Sequence, residues 1–565
     1  MRWNSGMRRN HRFLSGAGGV GCAAALLLLG TAGRAQTLQV LHDHMRSEVA
    51  SGQAPRVGFL PSTQRLKLAV VLPIPNASEL TSFLDQLYDP KSPGYRQYLT
   101  VEQFIQRFGP AAGDYQAVVD FSNAHGFTVT ETHRNRLVLD LDGSVEQIEN
   151  AFHIRMAVYR HPTENRTFYS PDREPSLALS APVLHIEGLD NFLLPRNHRR
   201  ARAVGAGTES HLTGSGPGGN YLGSDMRAAY YGRTALTGKG QSVGLFEYYG
   251  YETSDIKAYF KEAGQTNTVP INPVTVDGVS PLCPPGSCDD SEQVLDIVQS
   301  ISMAPGLSQV RVYIGSLDAD ILNKMATDNI AKQLSCSWGT TVQPSVDDPI
   351  FEEFAAQGQN FFDGSADSGA YTGHNNRDDG VYPADDAFIT AVGGTDLTTT
   401  GPGGTWVSET AWNYSGGGVS DNGIALPAWQ IGLANSSNGG STTLRNVPDV
   451  AMEGNTDNFA CGNGKCYGGD GGTSYSAPRW AGFLALVNEQ AVASGKPTLG
   501  FINPALYAIG EGSSYDSDFH DIVSGNNLCC GQKKGFDAVP GYDLVTGWGS
   551  PTGQKLINAL AGVAQ

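Results

Sequence analysis

Short apolar segments alternate with stretches of helical periodicity between residue 220 and the C-terminus, and this alternation restricts the fold more than any other property. The segments with strand character are residues 242–246, 310–314, 334–337, 361–364 and 388–392. Strands separated by helices build a mostly parallel sheet with helices on both faces. The sequence therefore predicts an α/β fold with a doubly wound, mostly parallel sheet for residues 220–565.

Residues 36–195 carry a different pattern, which predicts a smaller α+β unit. Residues 66–72 have the composition of a strand, and the leucines of 137–141 alternate with polar residues as in a half-buried strand. Ser144 opens a capping box before one short helix, and Ser78 is the expected cap of another. The chain therefore contains two folded units of different architecture.

Residues 196–219 join these two units. Arginines at the start of this segment run into a stretch rich in Gly, Ser and Thr that lacks apolar periodicity. Such a linker is expected to be exposed and readily cleaved, so we place a processing site within it.

The first 35 residues have the features of a secretory signal. Basic residues precede an apolar run at 17–32, and small residues stand before a cleavage site at residue 35. A membrane anchor is the alternative, but the run is shorter than the ~20 apolar residues of a membrane span. No later segment is apolar enough to cross a bilayer. We therefore predict a secreted, extracellular protein that has no membrane contact once the signal is removed.

The formal net charge is −18, and the acidic excess lies after residue 219. An acidic body argues against a nucleic-acid partner, because nucleic-acid binding depends on positive charge. It suits a protein that works at low pH, where many carboxylates are neutral. Protonation of these carboxylates is also expected to weaken the contacts between the two units. We expect the chain to be a monomer.

Seven of the eight cysteines lie after the predicted signal. Cys283 with Cys288, and Cys461 with Cys466, each enclose a short loop that contains glycine, which favours local disulfides in an exported protein. Zinc binding is the alternative, although no histidine lies near either pair. Cys336 lies in an apolar stretch and is expected to be a buried free thiol. Two adjacent cysteines near residue 530 stay unassigned.

One candidate for chemistry is Ser474, within the sequence Gly-Gly-Thr-Ser-Tyr-Ser-Ala-Pro of residues 471–478. The glycines allow close backbone approach, and an apolar helical stretch follows the serine. A serine at a helix start lies in a positive dipole beside free N–H groups that can hold an oxyanion. The alternative is an ordinary N-cap serine.

Carboxyl groups supply the other candidates. Glu292 and Asp296 lie four residues apart in a helical pattern, so both carboxyls lie on one side of the helix, where they repel and share a proton. A solvated acidic face is the alternative. Asp367 directly follows a predicted strand, where doubly wound folds place functional groups, unless its Asp-Ser-Gly sequence forms a plain turn.

Histidines are scarce in the larger unit. Only His374 and His520 follow residue 219, and neither lies in a motif typical of histidine-based serine peptidases. The carboxyl pair is therefore the better candidate for the base that activates Ser474.

These motifs together resemble the sedolisin (kumamolisin-like) serine-carboxyl peptidases. The order Glu292, Asp296, Asp367 and Ser474 matches that family, and the segments 239–241, 337–339, 391–395, 415–420 and 447–450 resemble it as well. Residues 36–195 resemble the activation domain of the family. The resemblance implies a subtilisin-like catalytic domain preceded by a ferredoxin-like prodomain, which inhibits the enzyme until self-processing.

The resemblance also implies a role for each residue. Ser474 is the nucleophile, Glu292 its general base, Asp296 the partner that orients Glu292, and Asp367 a protonated donor to the oxyanion. Glu247 and Trp338 match positions that extend the carboxyl network. The family usually has a glycine-rich run after the position of Glu247, whereas this chain has Tyr-Tyr-Gly-Tyr.

A last set of residues resembles the structural calcium site of the family. Asp521 and Asp543 would bind one Ca²⁺ through their side chains, and Ile522, Val539 and Gly541 through their carbonyl groups. Carboxylates and carbonyls on turning loops are the oxygen ligands that calcium prefers. The family often has glycine at the position of Val539.

The predicted function is hydrolysis of protein or peptide substrates at acidic pH, roughly pH 3–5, because the proposed groups are carboxyls with reference pKa values near ~4. Three alternatives stay open: a catalytically inactive or binding protein on the same fold, a tripeptidyl-peptidase-type exopeptidase, and a subtilisin-like hydrolase that uses His374. Of these activities, we predict endopeptidase activity.

Overall fold

The computed structural model describes residues 38–201, 212–232, 234–284, 286–340, 344–371 and 381–563. The predicted signal at 1–35 lies outside the described residues, as do His374 and the centre of the predicted linker. Within the described part of the chain, no helix is long and apolar enough to cross a membrane.

The N-terminal domain is built from nine strands and five helices. The strands are β1 Gln39–Val40, β2 Arg56–Phe59, β3 Arg65–Val71, β4 Thr128–Thr132, β5 Val138–Ser144, β6 Met156–Arg160, β7 Thr167–Pro171, β8 Ser176–Leu177 and β9 His185–Glu187. The helices are α1 Ser47–Ala50, α2 Ala77–Tyr88, α3 Val101–Arg107, α4 Ala112–Ala124 and α5 Val145–Phe152. The main sheet has the order β4-β5-β3-β9 with antiparallel neighbours. This is the split βαβ arrangement of ferredoxin-like domains, as predicted.

Two local predictions for this domain are wrong in detail. Helix α2 begins at Ala77 and follows Asn76, so Ser78 is not its cap. Strand β5 is buried on both faces, because Leu139 packs with the domain's own helices whereas Val138 packs against helices of the second domain. The capping box of Ser144 is present, since Ser144 and Gln147 exchange side-chain and backbone hydrogen bonds.

The second domain contains a central sheet of eight strands and several smaller sheets of two or three strands. Its strands are β12 Ser242–Glu247, β13 Ile271–Thr275, β14 Gln309–Ile314, β15 Gln333–Cys336, β16 Trp338–Gly339, β17 Asn360–Gly364, β18 Ile389–Thr399, β19 Trp406–Ala411, β20 Gly418–Val419, β21 Asn446–Val447, β22 Val450–Glu453, β23 Asn458–Gly462, β24 Lys465–Gly471, β25 Phe519–His520 and β26 Ser550–Pro551. Two short strands, β10 Arg196–Asn197 and β11 Arg200–Ala201, precede them.

The helices of this domain are α6 Gly223–Tyr230, α7 Thr253–Glu262, α8 Ser291–Met303, α9 Asp318–Asp328, α10 Pro344–Ala356, α11 Thr473–Ala493, α12 Asn503–Gly510, α13 Tyr515–Asp518 and α14 Gln554–Ala561. The sheet order is β13-β14-β12-β15-β17-β18-β19, and β22 also pairs with β18. All these pairs are parallel except β18 with β19. The predicted mostly parallel sheet is confirmed.

Each domain has its own apolar core, and a further apolar cluster spans the two domains. Side chains of β3 and α2 pack with those of α9 and α10. The Tyr88 hydroxyl donates a hydrogen bond of 2.6 Å to the carbonyl of Ala355 and accepts one of 3.0 Å from the N–H of Phe501. The N-terminal domain is therefore packed against the second domain through a buried interface.

The cysteine predictions agree with the structure. Disulfides join Cys283 to Cys288 and Cys461 to Cys466, and Cys336 is buried and outside any disulfide. The two adjacent cysteines that the sequence left unassigned form a disulfide with each other, Cys529–Cys530.

Candidate active site

Ser474 occupies the second position of helix α11. Its backbone N–H has no partner within the helix, as is usual in a first turn, and donates a hydrogen bond of 3.0 Å to the carbonyl oxygen of His198. The residue before the helix is Gly472 with φ of 130°, so Ser474 is not the N-cap. A Cβ atom on Gly472 would lie 2.1 Å from the His198 oxygen and 2.6 Å from Oδ2 of Asp367. Only glycine permits this close approach.

Glu292 and Asp296 lie one turn apart on helix α8, and both side chains are fully buried. The alternative of a solvated acidic face is therefore wrong. Burial raises the pKa of Glu292, and the charge of Asp296 adds to that rise. The Ser474 hydroxyl lies near enough to favour the ionised form of Glu292, yet it makes no hydrogen bond to a described residue.

The carboxyl network continues from Asp296 to Glu247, the last residue of β12. Burial raises the pKa of Asp296, and the charge of Glu247 adds to the rise. The Ser337 hydroxyl donates to Oδ1 of Asp296 at 2.9 Å, and Trp338 Nε1 donates to Oε2 of Glu247 at 2.9 Å. Like charges buried this close favour a shared proton. The structure thus brings Glu292, Asp296, Glu247 and Trp338 into one chain of contacts.

The tyrosines that replace the glycine-rich run leave this network intact. The rings of Tyr248 and Tyr249 lie 5.3 and 5.9 Å from that of Trp338, both edge-on. The indole is therefore held between two aromatic rings while its N–H reaches Glu247.

Asp367 reaches the start of helix α11 from the loop after β17. Its Oδ1 accepts hydrogen bonds from the N–H (2.8 Å) and the hydroxyl (3.0 Å) of Thr473. The preceding residue, Ala366, has φ of 72°, an unfavourable value for alanine that aims the loop toward the helix. Burial raises the pKa of Asp367 to about 7, and the two Thr473 hydrogen bonds and the charge of Arg200 oppose the rise. Oδ2 has no partner among the described residues, so its proton is available to a ligand.

The start of the predicted linker lies in this site, and its residues 197–200 are buried or half-buried. Strand β10 pairs with β16, which places Asn197 opposite Trp338, and β11 pairs with β24, which places Arg200 opposite Gly471. Between them, His198 is 1% exposed. The prediction of an exposed linker is wrong for residues 197–200, which are buried or half-buried because their backbone finds hydrogen-bond partners on both sides of Ser474. The rest of the linker up to residue 211 lies outside the described residues.

Sequence reasoning missed two residues that contact this segment. Arg199 Nε donates to Oδ2 of Asp470 at 2.7 Å, and the Arg199 guanidinium also contacts the hydroxyl of Tyr467. Asp470 lies four residues before Ser474 in a glycine-rich sequence. A carboxyl at this spacing from the candidate nucleophile was a usable signal.

Asp543 is one of the two carboxyls of the predicted calcium site, and it is fully buried. Its Oδ1 accepts hydrogen bonds from the N–H groups of Val545 (2.9 Å) and Thr546 (2.8 Å), and its Oδ2 accepts one from Val539 (3.1 Å). Burial still raises its pKa to about 7. The carboxyl of Asp543 therefore holds its own loop in place through hydrogen bonds. Its raised pKa indicates that these hydrogen bonds do not fully offset the cost of burying the ionised form.

The other groups of this site fit a cation that prefers oxygen ligands. Asp521 accepts a hydrogen bond of 3.1 Å from the N–H of Gly541, and burial raises the pKa of Asp521. The carbonyl oxygens of Ile522, Val539 and Gly541 accept no hydrogen bond from the described residues. Val539 does not adopt a positive φ, so its side chain causes no strain. Two carboxylates and three free carbonyls match the ligand chemistry of calcium.

Comparison with known proteins shows the family of the chain. The model of the pro-kumamolisin activation domain matches residues 53–192, and that of the subtilase family matches residues 316–499. Kumamolisin of Bacillus sp. (strain MN-32) is 30% identical over 552 residues, which cover 92% of this chain and 96% of kumamolisin. The chain belongs to the sedolisin (kumamolisin-like) family of serine-carboxyl peptidases.

Two further relatives bear on this assignment. The solved structure of Pseudomonas sedolisin, a serine-carboxyl proteinase, is 27% identical with a TM-score of 0.50, and it covers 61% of this chain and 98% of its own. A tripeptidyl-peptidase of Aspergillus fumigatus is 25% identical over 82% of this chain and 88% of its own length. As a sedolisin-family member, the chain is a serine-type peptidase with a subtilisin-like fold. It acts on peptides and carries its own inhibitory activation prodomain.

Proposed function

We propose that the chain is the secreted zymogen of an acid-acting endopeptidase, in which Ser474 attacks the peptide carbonyl and Glu292 takes its proton. Asp296 orients Glu292 and shares its proton, and Asp367 donates a hydrogen bond to the oxyanion beside the Ser474 N–H. The observation that carries the proposal is the hydrogen bond from the Ser474 N–H to a peptide carbonyl, with the unpartnered Oδ2 of Asp367 next to it.

The raised pKa of Asp367 supports the proposed oxyanion donor. Asp367 must stay protonated to donate, and burial raises its pKa to about 7, so the donor form is populated under acid conditions. Glu292 must be ionised to act as a base, which burial and the charge of Asp296 oppose and the charge of Arg199 favours. The titration of Asp367 therefore sets the upper limit of the active range at a pH of about 7.

Endopeptidase action is favoured by the path of the segment that lies in the site. The chain continues on both sides of His198, into the N-terminal domain in one direction and along β24 in the other. A tripeptidyl-peptidase needs a free amino terminus three residues before the cleaved bond. A cleft that holds a continuous chain on both sides of the nucleophile has no such requirement. Tripeptidyl-peptidase activity is the second candidate, because a relative carries that name.

We further propose that one structural Ca²⁺ is held by Asp521 and Asp543 together with the carbonyls of Ile522, Val539 and Gly541. When bound, the ion would supply positive charge to the buried carboxyl of Asp543 and the half-buried carboxyl of Asp521, and it would fix the C-terminal loop. We also propose that the mature enzyme is a monomer that acts outside the cell.

A direct assay tests the proposed activity. The purified protein is incubated with a denatured protein substrate from pH 3 to pH 8, and the products are sized by mass spectrometry. Endopeptidase action gives internal fragments, whereas tripeptidyl-peptidase action gives a ladder of tripeptides. Ser474→Ala should fold normally and give no products. Activity of Ser474→Ala near the wild-type level would refute the role of Ser474, and inactivity of the wild type at every pH would favour a binding protein.

A further inference from the structure

His198 is held in the active site by two backbone hydrogen bonds. Its N–H donates to the carbonyl of Ser337 at 2.9 Å, and its carbonyl accepts from the N–H of Ser474 at 3.0 Å. Strand pairing on each side, at Asn197 and at Arg200, keeps the segment extended through this point. The carbonyl of a bond that is to be cleaved must point at the oxyanion donors next to the nucleophile. Among the residues of this segment, His198 has that placement.

We propose that the first self-cleavage breaks the bond between His198 and Arg199, and that Asp470 with Tyr467 forms a subsite for a basic residue directly after the cleaved bond. This inference rests on the proposed function of Ser474. In the reaction, Ser474 Oγ bonds to the His198 carbonyl carbon and its proton passes through Glu292 to the departing amine of Arg199. Water then hydrolyses the acyl-enzyme, which frees a carboxylate on His198 and restores Ser474.

The subsite is built by the catalytic domain independently of the linker. The side chain of Asp470 is fully buried, and its Oδ2 accepts a hydrogen bond of 2.8 Å from the hydroxyl of Tyr475 on helix α11. Arg199 adds the ion pair at 2.7 Å and lies over the ring of Tyr467 at 5.4 Å. When Arg199 withdraws after the cut, Asp470 keeps its hydrogen bond to Tyr475 but loses its cation. A substrate with a basic residue at this position restores the pair.

The neighbouring side chains of the linker make no ion pair with a described residue of the catalytic domain, although Arg200 donates a hydrogen bond of 3.3 Å to the backbone carbonyl of Asp367. Arg200 stacks on Tyr414 at 3.8 Å from the ring centre, which accepts flat or cationic groups in general. Arg196 pairs with Glu164, a residue of the N-terminal domain that leaves together with the prodomain. The ring of His198 is enclosed, and its Nε2 has no hydrogen-bond partner among the described residues. We therefore expect the catalytic domain to select a basic substrate residue at the position of Arg199.

The first test follows the full-length chain after acidification to pH 4, with amino-terminal sequencing and mass spectrometry of early samples. We expect Arg199 as the first new amino terminus and His198 as the carboxyl end of the released fragment. Arg199→Gln should slow this cut about 10- to 100-fold, because Asp470 loses the guanidinium that donates to it at 2.7 Å. Arg173→Gln removes the same charge from an exposed arginine of the N-terminal domain and should leave the rate unchanged.

The second test uses the mature enzyme and a pair of quenched fluorogenic peptides that differ only in Arg or Gln directly after the cleaved bond. We expect kcat/KM to favour the Arg peptide about 10- to 100-fold. Asp470→Asn should reduce this ratio to near one. Even if Asp470→Asn fails to fold, the ratio of kcat/KM values measured for the wild type still tests whether the subsite prefers a basic residue.

The outcomes separate this inference from the proposed function. Processing of Ser474→Ala by itself, at the wild-type rate, would refute the function of Ser474 and the inference with it. A first cut elsewhere in the wild type that Ser474→Ala abolishes would refute only the assignment of the His198–Arg199 bond. A wild-type peptide ratio near one would refute only the basic subsite.

Discussion

Glu187 of the prodomain caps helix α9 of the catalytic domain, with its carboxyl accepting a hydrogen bond of 2.8 Å from the backbone N–H of Asp318. Burial and the charge of Asp318 nevertheless raise the pKa of Glu187. Burial likewise raises the pKa of Asp320 on the same helix. The described ion pairs of residues 38–195 join residues within that segment or reach the start of the linker. The expectation that acid weakens the contacts between the domains therefore finds no support at Glu187.

The sign of this shift gives a prediction. A carboxyl whose pKa is raised in the folded chain stabilises it while protonated, and that contribution is lost as the pH rises through the raised pKa. We expect the Tm of the uncleavable Ser474→Ala zymogen to fall as the pH rises above the ordinary pKa of a glutamate, about 4.3, and Glu187→Gln to reduce this fall. Glu131→Gln, at an exposed residue of β4, is the control. An equal fall with and without Glu187 would show that this carboxyl does not titrate at the interface.

Calcium is expected to stabilise the mature enzyme. An ion at 100 times its Kd adds ~2.7 kcal/mol to the free energy of unfolding. Excess chelator should therefore lower the Tm, and Asp521→Asn should abolish that sensitivity. Asp537→Asn changes an exposed residue of the same loop and should leave it in place. If chelation leaves the Tm of the wild type unchanged, the loop is held by the hydrogen bonds of Asp543 alone.

Much of the fold could be predicted from the sequence because its patterns are local. The five strand segments and the capping box of Ser144 follow from periodicity and hydrogen-bonding rules that act within a few residues. Strand β5 could not be predicted as buried on both faces, because the second face is covered by α9 and α10, which lie far away in the sequence.

In the candidate site, too, local motifs could be predicted from the sequence, whereas contacts between distant segments could not. The order of Glu292, Asp296, Asp367 and Ser474 is readable from motifs, and the structure brings these residues together. The position of residues 196–201 across Ser474 was not predictable from composition, since a polar, arginine-rich segment that leads into a Gly- and Ser-rich stretch normally lies in solvent. Its place depends on backbone pairing with β16 and β24, which leaves no pattern in side-chain chemistry.

Asp367→Asn separates hydrogen-bond donation from titration. The amide keeps a donor near the oxyanion and an acceptor for Thr473, but it does not lose a proton at high pH. We expect the rate to fall by about 10²- to 10³-fold, because the geometry and acidity of the donor change. The alkaline limb near pH 7 should disappear in the pH profile of kcat/KM. A variant that keeps the wild-type alkaline limb would assign that limb to another group.

The pH dependence of kcat/KM for the mature enzyme, measured on one peptide from pH 2 to pH 9, tests the carboxyl mechanism most directly. Glu292 must be ionised, so the rate should rise with pH on the acid side, and Asp367 must be protonated, so it should fall as pH rises through about 7. The predicted result is a bell with its maximum at acidic pH, whose limbs belong to coupled carboxyls. A maximum at pH 7–8 would contradict the carboxyl mechanism and favour a histidine base.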